Sequence, residues 1–274
     1  MTGFGFLRPT VVVSVVLLAA CGGGGARAGG GSAPRPDAAS LADSAVGAWI
    51  EAAGGMRAWR SIERARYTVN TVWYDSTGKV RRMRPRRVTL RKTARGEEAR
   101  IERPEAEGLY VQVFNGDTAW AALNGTPLPP DDPAVEEAEY VARDVFYWFG
   151  LPFKLRDPGA NLDARRLEGG GVEVRVGFGS DVGVHPGDRY FYEFRDSDPF
   201  PEEVDYIEQG TETRDRTLWR HFRAAGPITY VGTRRYVDER GRVTKELRIS
   251  DVVIDPPLAD TLFAPPSGPD RPGS

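Results

Sequence analysis

The sequence predicts a mainly β protein with helices, built on one large curved antiparallel sheet. Segments with an apolar residue at every second position follow one another through short turn sequences, which is typical of an antiparallel meander. More than ~10 such segments occur, and a twisted open sheet of that size curls rather than staying flat. Other segments have helical periodicity. We therefore expect an unclosed β-barrel with helices packed in or across its concave face.

The composition excludes several classes of protein. The 274 residues include 37 basic and 39 acidic side chains, and 40% of them are hydrophobic. This is an ordinary globular balance, and the near-neutral net charge gives no indication of nucleic-acid binding. Cys21 is the single cysteine, which excludes an internal disulfide framework and any multi-cysteine metal site.

The N-terminus has the layout of a secretory signal peptide over 1–20. It contains one basic residue, Arg8, and an apolar run over 11–18 that is too short to span a bilayer. The sequence Leu18-Ala19-Ala20-Cys21 that follows resembles the lipobox of bacterial lipoproteins, in which the cysteine is acylated and becomes the new N-terminus. This resemblance implies attachment to a membrane through a lipidated Cys21. Gly22 in the next position implies the outer membrane.

A flexible tether and one folded domain are expected after the signal peptide. Glycine and proline dominate 21–40, a stretch with little to bury. We expect the folded domain to span 41–266, and the remaining 267–274 to be a disordered tail.

Two helical segments precede the first predicted strand. The segment 38–53 places its apolar residues on one stripe, with Ser40 or Asp43 as N-cap, and Gly54-Gly55 ends it. A short helical segment over 56–62 follows. We expect the first helix to fill part of the concave face of the sheet.

The predicted strands form two groups, one on each side of a helical interruption. The clearest strand is 171–178, in which apolar residues alternate with polar residues or glycine. Turn sequences such as those at 115–117 and 238–241 separate neighbouring strands. The predicted strands are 66–75, 79–93, 97–103, 108–115, 117–123, 163–168, 171–178, 188–196, 203–208, 216–224, 228–238 and 241–254.

The interruption is predicted to be a helix that begins at Asp131 or Asp132 and runs to about Phe149. Pro133 suits its first turn, and its second half is strongly apolar. If the helices cover the concave face loosely, a cavity for an apolar guest remains. If they fill it completely, the interior is an ordinary core. The last apolar segment, 258–263, is expected to dock on the sheet as a turn.

Short sequences along this pattern resemble a known family. Ala53-Gly54-Gly55 with Trp59 and Ile62 precedes the first strand, a second phrase covers 113–120, and Asp260-Thr261-Leu262-Phe263-Ala264-Pro265 ends the domain. With the lipobox and the mid-chain helix, they resemble the LolA/LolB-like superfamily, which includes outer-membrane lipoprotein-sorting proteins, over about 41–266. The resemblance implies an unclosed β-barrel whose hollow, covered by helices, holds acyl chains of lipoproteins in transit between the two membranes.

An apolar cavity and a lid follow from this resemblance. Acyl chains need apolar area without polar groups that require partners, and aromatic and aliphatic strand residues supply it. The predicted cavity residues are Tyr67, Val69, Trp73, Val111, Val113, Val174, Val176, Phe178, Tyr190, Tyr192 and Phe194. The predicted lid residues are Val145, Phe146, Trp148, Phe149, Leu151 and Phe153.

A run of basic residues lies on the second predicted strand. Nine basic side chains and no acidic one occur over 79–95. They could meet lipid phosphates or an acidic partner, or they could form a solvated strand face beside the acidic segment 97–107. The nine are Lys79, Arg81, Arg82, Arg84, Arg86, Arg87, Arg91, Lys92 and Arg95.

Nothing in the sequence indicates catalysis, a metal or a cofactor. The two histidines, His185 and His221, have no partner at ligand spacing. Two functions therefore remain open. The first is a lipid-anchored, periplasm-facing outer-membrane protein that binds an acyl chain, a lipoprotein or another apolar ligand. The second is a non-enzymatic scaffold with a filled core that contacts a protein partner, which the sequence does not identify.

Overall fold

The computed structural model describes residues 36–179, 187–195 and 197–265. Within these residues, the strands form one antiparallel sheet of thirteen strands, and the sequence predicts such a sheet. The strands are β1 (Arg64–Tyr74), β2 (Val80–Thr93), β3 (Gly96–Glu105), β4 (Gly108–Phe114), β5 (Ala119–Leu123), β6 (Thr126–Pro127), β7 (Ala160–Arg166), β8 (Val172–Phe178), β9 (Arg189–Phe194), β10 (Glu203–Ile207), β11 (Arg214–Ala225), β12 (Ile228–Val237) and β13 (Val243–Ile254).

Three helices and one single helical turn accompany the sheet. They are α1 (Pro36–Ala52), α2 (Gly55–Ser61), the single turn α3 (Pro133–Glu136) and α4 (Ala138–Phe149). Short 3₁₀ helices cover Phe153–Arg156 and Asp260–Phe263. The carboxylate of Asp132 accepts a hydrogen bond of 2.8 Å from the backbone N–H of Ala134, which is the predicted cap at the start of α3.

The first and last strands meet in the middle of the sheet. The spatial order is β6-β5-β4-β3-β2-β1-β13-β12-β11-β10-β9-β8-β7, so each group of strands is a meander that extends outward from the β1–β13 pair. The chain crosses from one edge to the other through α3 and α4. This arrangement follows from short turns within each group and one long connection between them.

Strand register determines which residues face the helices. Val69 of β1 lies opposite Ile249 of β13 and Arg86 of β2, and Tyr67 lies opposite Val88. Tyr67 donates a hydrogen bond of 3.2 Å to the carbonyl oxygen of Val145 in α4, which identifies this face as the concave one. The sheet curls around α1, α2 and α4 and does not close into a barrel.

Aromatic side chains from the helices build the core on the concave face. Trp49 of α1 contacts Tyr192, Phe194 and Trp219, with ring centroids 5.6 to 5.9 Å apart. Trp59 of α2 stacks on Phe153 at 5.2 Å, and Phe149 of α4 stacks on Tyr67 at 4.6 Å. Offset and edge-on aromatic pairs of this kind stabilise a core beyond the area that they bury.

The opposite face carries a second, smaller core. Phe263 is 1% exposed and packs on Val111 and Val113 of β4, with the Arg91 guanidinium 4.3 Å from the centre of its ring. The predicted docking of the C-terminal apolar segment is therefore confirmed. The sheet is covered on both sides at β3 and β4, by α4 on one face and by this segment on the other.

Several predicted boundaries differ from the structure. Helix α1 begins at Pro36, so the predicted caps Ser40 and Asp43 lie inside it, and Asp43 pairs with Arg156 instead. The predicted helix up to Phe149 is divided at Glu137 into α3 and α4. The Gln112 side chain donates a hydrogen bond of 2.9 Å to the Ala134 carbonyl oxygen at this break. The two-residue strand β6 is too short to have a sequence pattern.

Among the helices of the described residues, none combines the length and the hydropathy that a bilayer span requires.

Candidate ligand cavity

A cavity of about 860 Å³ lies between α4 and the concave face of β8 to β13 and β1. It remains because α1 packs on β7 and β8 and α4 packs mainly on β3 and β4, so the two helices leave part of the concave face uncovered between them. The volume lies in the range of small-molecule and cofactor sites, roughly 300 to 1,000 Å³.

Aromatic rings form one continuous wall of the cavity. Trp148 of α4 lies 5.7 Å from Tyr190 and 6.2 Å from Trp219, and Tyr147 lies 5.8 Å from Phe178, all measured between ring centroids. Tyr147 and Trp148, which are adjacent in α4, therefore contact residues of β8, β9 and β11. The wall presents apolar area with few groups that need hydrogen-bond partners.

Two cations lie beside the aromatic wall, on β12 and β13. The guanidinium carbon of Arg234 on β12 is 4.6 Å from the centre of the Trp148 ring. The ammonium nitrogen of Lys245 on β13 is 3.7 Å from the centre of the Tyr236 ring. Cation–π contacts of this kind hold a charged side chain over a ring while leaving its outer side free. Lys245 lies directly opposite Trp73 of β1, another wall residue.

Ion pairs and hydrogen bonds fix the polar rim. Lys154 contacts Glu97 at 2.8 Å and also pairs with Asp157, which ties the chain after α4 to β3. Burial alone would lower the pKa of Lys154, but these two carboxylates raise it, so the ammonium stays charged. Asp188 accepts hydrogen bonds from the Tyr206 hydroxyl at 3.0 Å and from the Gln209 backbone at 2.8 Å.

The low polarity of the site shifts its titrating groups. Burial raises the pKa of Tyr140 to about 12 and raises the pKa of Tyr190 further, so both hydroxyls stay protonated. Burial and the neighbouring charge of Arg234 lower the pKa of Lys245. These tyrosines can donate hydrogen bonds to a ligand but are not suited to act as bases at neutral pH.

Three of the predicted cavity residues line the cavity: Trp73, Phe178 and Tyr190. Most of the others belong to the packed core beneath the helices, where α1 and α4 cover them. These core residues are Tyr67, Val69, Val174, Val176, Tyr192 and Phe194. The placement of Val111 and Val113 in the same hollow is wrong, because alternation along β4 turns them to the opposite face against Phe263.

Most of the predicted lid residues also lie in the core. Trp148 is the only one of the six residues that lines the cavity. The other five are 0 to 4% exposed and fill the core, because the buried face of α4 and the turn after it pack on Trp59 and Tyr67. These five are Val145, Phe146, Phe149, Leu151 and Phe153.

Sequence reasoning missed most of the cavity wall. The α4 residues one position away from the buried stripe, among them Asp144 and Tyr147, face the cavity. The sequence pattern does not single out Arg234 and Lys245, because each lies in a strand with the usual alternation of apolar and polar residues. Their apolar neighbours Leu247 and Ile249 follow the same period of two, and that alternation already places Lys245 on the concave face.

The basic run divides by strand parity. Arg82, Arg84, Arg86 and Lys92 point to the concave side, and the other basic residues within β2 point outward. Three ion pairs among the described residues link the run to the acidic segment: Arg84 contacts Glu105 at 3.1 Å, and Arg91 and Arg95 contact Glu98 at 2.5 and 3.2 Å. Lys92 donates a hydrogen bond of 2.6 Å to the Trp59 carbonyl oxygen. Much of the run is thus structural.

The remaining predicted features concern chemistry. Cys21 and His185 lie outside the described residues. His221 on β11 has a positive φ of 56°, and its Nδ1 is 3.3 Å from the Thr233 hydroxyl. Among the described residues, no cluster of three or more histidine or acidic side chains is arranged to hold a metal ion.

The curled sheet, the helices on its concave face and the cavity between them define the LolA-like fold. A LolA superfamily protein, NE2245 from Nitrosomonas europaea, superimposes with a TM-score of 0.52 at 9% identity, over 81% of this chain and 96% of that one. A putative outer membrane lipoprotein-sorting protein domain from Vibrio parahaemolyticus superimposes with a TM-score of 0.50 at 10% identity, over 82% of this chain and 97% of that one.

A DUF1329 family protein from Desulfovibrio piger is similar to the same extent, with a TM-score of 0.52, 11% identity, and coverage of 81% of this chain and 96% of that one. At these identities the likeness establishes the fold alone. No family model matches the sequence. No curated protein matches it either.

Proposed function

We propose that this protein is a non-enzymatic envelope protein that binds an acyl chain or another hydrophobic ligand in the cavity. The observation that carries the proposal is the cavity of about 860 Å³ with a wall of aromatic rings on the concave face. A helix-filled sheet without such a cavity would support only a structural role. Each methylene group that leaves water for this wall contributes ~0.8 kcal/mol, so an acyl chain could bind without covalent chemistry.

We further propose that the protein is anchored by lipidated Cys21 to the outer membrane, facing the periplasm, and takes part in lipoprotein or lipid handling. The signal-peptide pattern and the lipobox support this location. The structural similarity to a putative outer membrane lipoprotein-sorting protein domain supports an envelope role. The glycine-rich tether after Cys21 would separate the domain from the bilayer surface.

Native mass spectrometry of the full-length protein, followed by lipid extraction, tests the proposal. We expect a co-purifying lipid on the wild type. An Ala160→Trp substitution places a large ring inside the cavity and should reduce the bound lipid several-fold. Ala106→Trp adds the same ring in the exposed turn between β3 and β4 and should leave the bound lipid unchanged. Circular dichroism and thermal unfolding verify that both variants are folded.

The alternative is a scaffold with a filled core. It is favoured by the fact that most of the predicted lining and lid residues pack tightly in the core rather than line the cavity. A protein that carries no lipid, and that takes up no added acyl-chain probe in either wild-type or Ala160→Trp form, would contradict ligand binding and support the scaffold.

A further inference from the structure

Arg234 is a buried cation that faces the cavity. It is 5% exposed, and its side chain lines the cavity wall. Its Nε has no hydrogen-bond partner in the described structure, and the guanidinium contacts the Trp148 ring rather than a carboxylate. A buried guanidinium without an ion pair is costly in free energy, because desolvation is not offset by an opposite charge.

Lys245 and Arg86 extend the positive charge around Arg234. Lys245 is half-buried and rests on the Tyr236 ring, and the charge of Arg234 contributes to its lowered pKa. Arg86 of β2 has a buried Nε that lacks a hydrogen-bond partner within the described residues. The charges of Arg234, Asp144 and Arg86 all act on the Tyr236 hydroxyl, which places two cations and a carboxylate around it.

The other charged groups of the cavity are mostly satisfied within the protein. Asp144 accepts a hydrogen bond of 2.7 Å from the Trp148 indole nitrogen, and Asp188 is held by Tyr206 and Gln209. Asp215 is exposed on β11 and is the carboxylate whose charge acts on Lys245. The cationic lining residues with acidic partners are Lys154 with Glu97, Arg143 with Glu139 and Arg216 with Glu203.

The cations and the aromatic wall lie at different places along the sheet. Arg234 is on β12 and Tyr190 is on β9, three strands away. At a strand spacing of ~4.8 Å, the two positions are about 14 Å apart along the sheet. The two cations therefore lie at β12 and β13 against Trp148 and Tyr236, and the aromatic wall extends away from them to Tyr190 on β9 and Phe178 on β8.

We propose that Arg234 and Lys245 form a subsite for an anionic headgroup, so that the cavity binds an amphiphile with a carboxylate or phosphate at one end and an apolar tail at the other. The inference rests on the proposed function and specifies its ligand class. A guanidinium presents several donors in one plane and matches both anions. The tail would lie on Tyr190 and Phe178, away from Arg234, and the anion would form the ion pair that Arg234 lacks among the described residues.

A binding comparison on the full-length, delipidated protein tests the proposal. The probes are palmitate, hexadecyl phosphate and neutral hexadecanol, which share one tail length, and quenching of tryptophan fluorescence reports binding. We expect the wild type to bind at least one anionic probe about tenfold more tightly than hexadecanol, as a charge-assisted hydrogen bond would produce. The comparison of palmitate with hexadecyl phosphate distinguishes a carboxylate from a phosphate headgroup.

Arg234→Gln and Lys245→Gln should each reduce the preference for the anionic probes over hexadecanol. The affinity for hexadecanol should change less than about twofold, because the aromatic wall is intact. Arg240→Gln removes the same charge from an exposed turn and should retain the full preference. Lys245 is near the rim, so its variant tests the subsite even if Arg234→Gln unfolds. Equal wild-type affinities for all three probes, or an unchanged preference in both variants, would overturn the subsite but not ligand binding. No binding of any probe would overturn both.

Discussion

Replacement of Phe149 by alanine tests whether this residue belongs to a lid or to the core. Because Phe149 packs in the core, the substitution should destabilise the domain strongly. The side chain is 2% exposed, stacks on Tyr67 at 4.6 Å and lies 6.2 Å from Tyr230. Removal of a fully buried phenylalanine loses the transfer free energy and leaves a cavity, which together cost about 3–5 kcal/mol. About 0.5–1.5 kcal/mol of that loss is expected from the stacked ring pair.

Equilibrium urea unfolding gives the free energy directly, and thermal unfolding gives an independent check. At ~2–4 °C for each kcal/mol in a domain of this size, the midpoint should fall by roughly 6–20 °C. Leu109→Ala is the control, because Leu109 is 42% exposed on β4 and its loss should cost less than about 0.5 kcal/mol. A loss below about 1 kcal/mol for Phe149→Ala would refute the packing derived above and restore Phe149 as a mobile lid residue.

Two further predictions concern other parts of the fold. Phe263→Ala should destabilise the protein by about 3 kcal/mol in urea unfolding, because Phe263 is 1% exposed and packs on Val111 and Val113. An unchanged urea midpoint would mean that the C-terminal segment does not pack on the sheet. Burial raises the pKa of Asp205 to about 6 from its ordinary 3.8, so the protonated carboxyl is favoured by folding. The stability of the wild type relative to Asp205→Asn should therefore be greatest below about pH 4 and fall by about 1–3 kcal/mol as the pH rises through 6; a constant difference across this range would contradict the shift.

The cavity is more polar than a site for a plain hydrocarbon requires. The sequence led us to expect an apolar hollow lined by aromatic and aliphatic strand residues. The aliphatic residues instead pack beneath α1 and α4, and the space that remains has tyrosine, tryptophan, arginine and lysine side chains in its wall. The reason is that each amphipathic helix buries its apolar stripe against the most apolar part of the sheet. The part of the concave face that stays uncovered is therefore less apolar.

Local sequence patterns predicted the hairpins well. The side chain of Asn115 accepts hydrogen bonds from the backbone N–H groups of Asp117 and Thr118, and Gly116 has a positive φ of 87°. In the last turn, the Asp238 carboxylate likewise accepts a hydrogen bond from the backbone N–H of Arg242. These interactions span only a few residues, so the residue types alone are enough to indicate them.

Local patterns were enough to predict the strands, the turns between them, the helical segment between the two groups of strands and a sheet too large to stay flat. The alternation along each strand also predicted which residues share a face. Which face of each strand points inward, and which part of that face the helices cover, depends on the packing of the whole domain. Val113 and Trp73 both alternate as buried residues should, yet one packs under the C-terminal segment and the other lines the cavity. That difference depends on contacts between residues far apart in the chain, which no local period encodes.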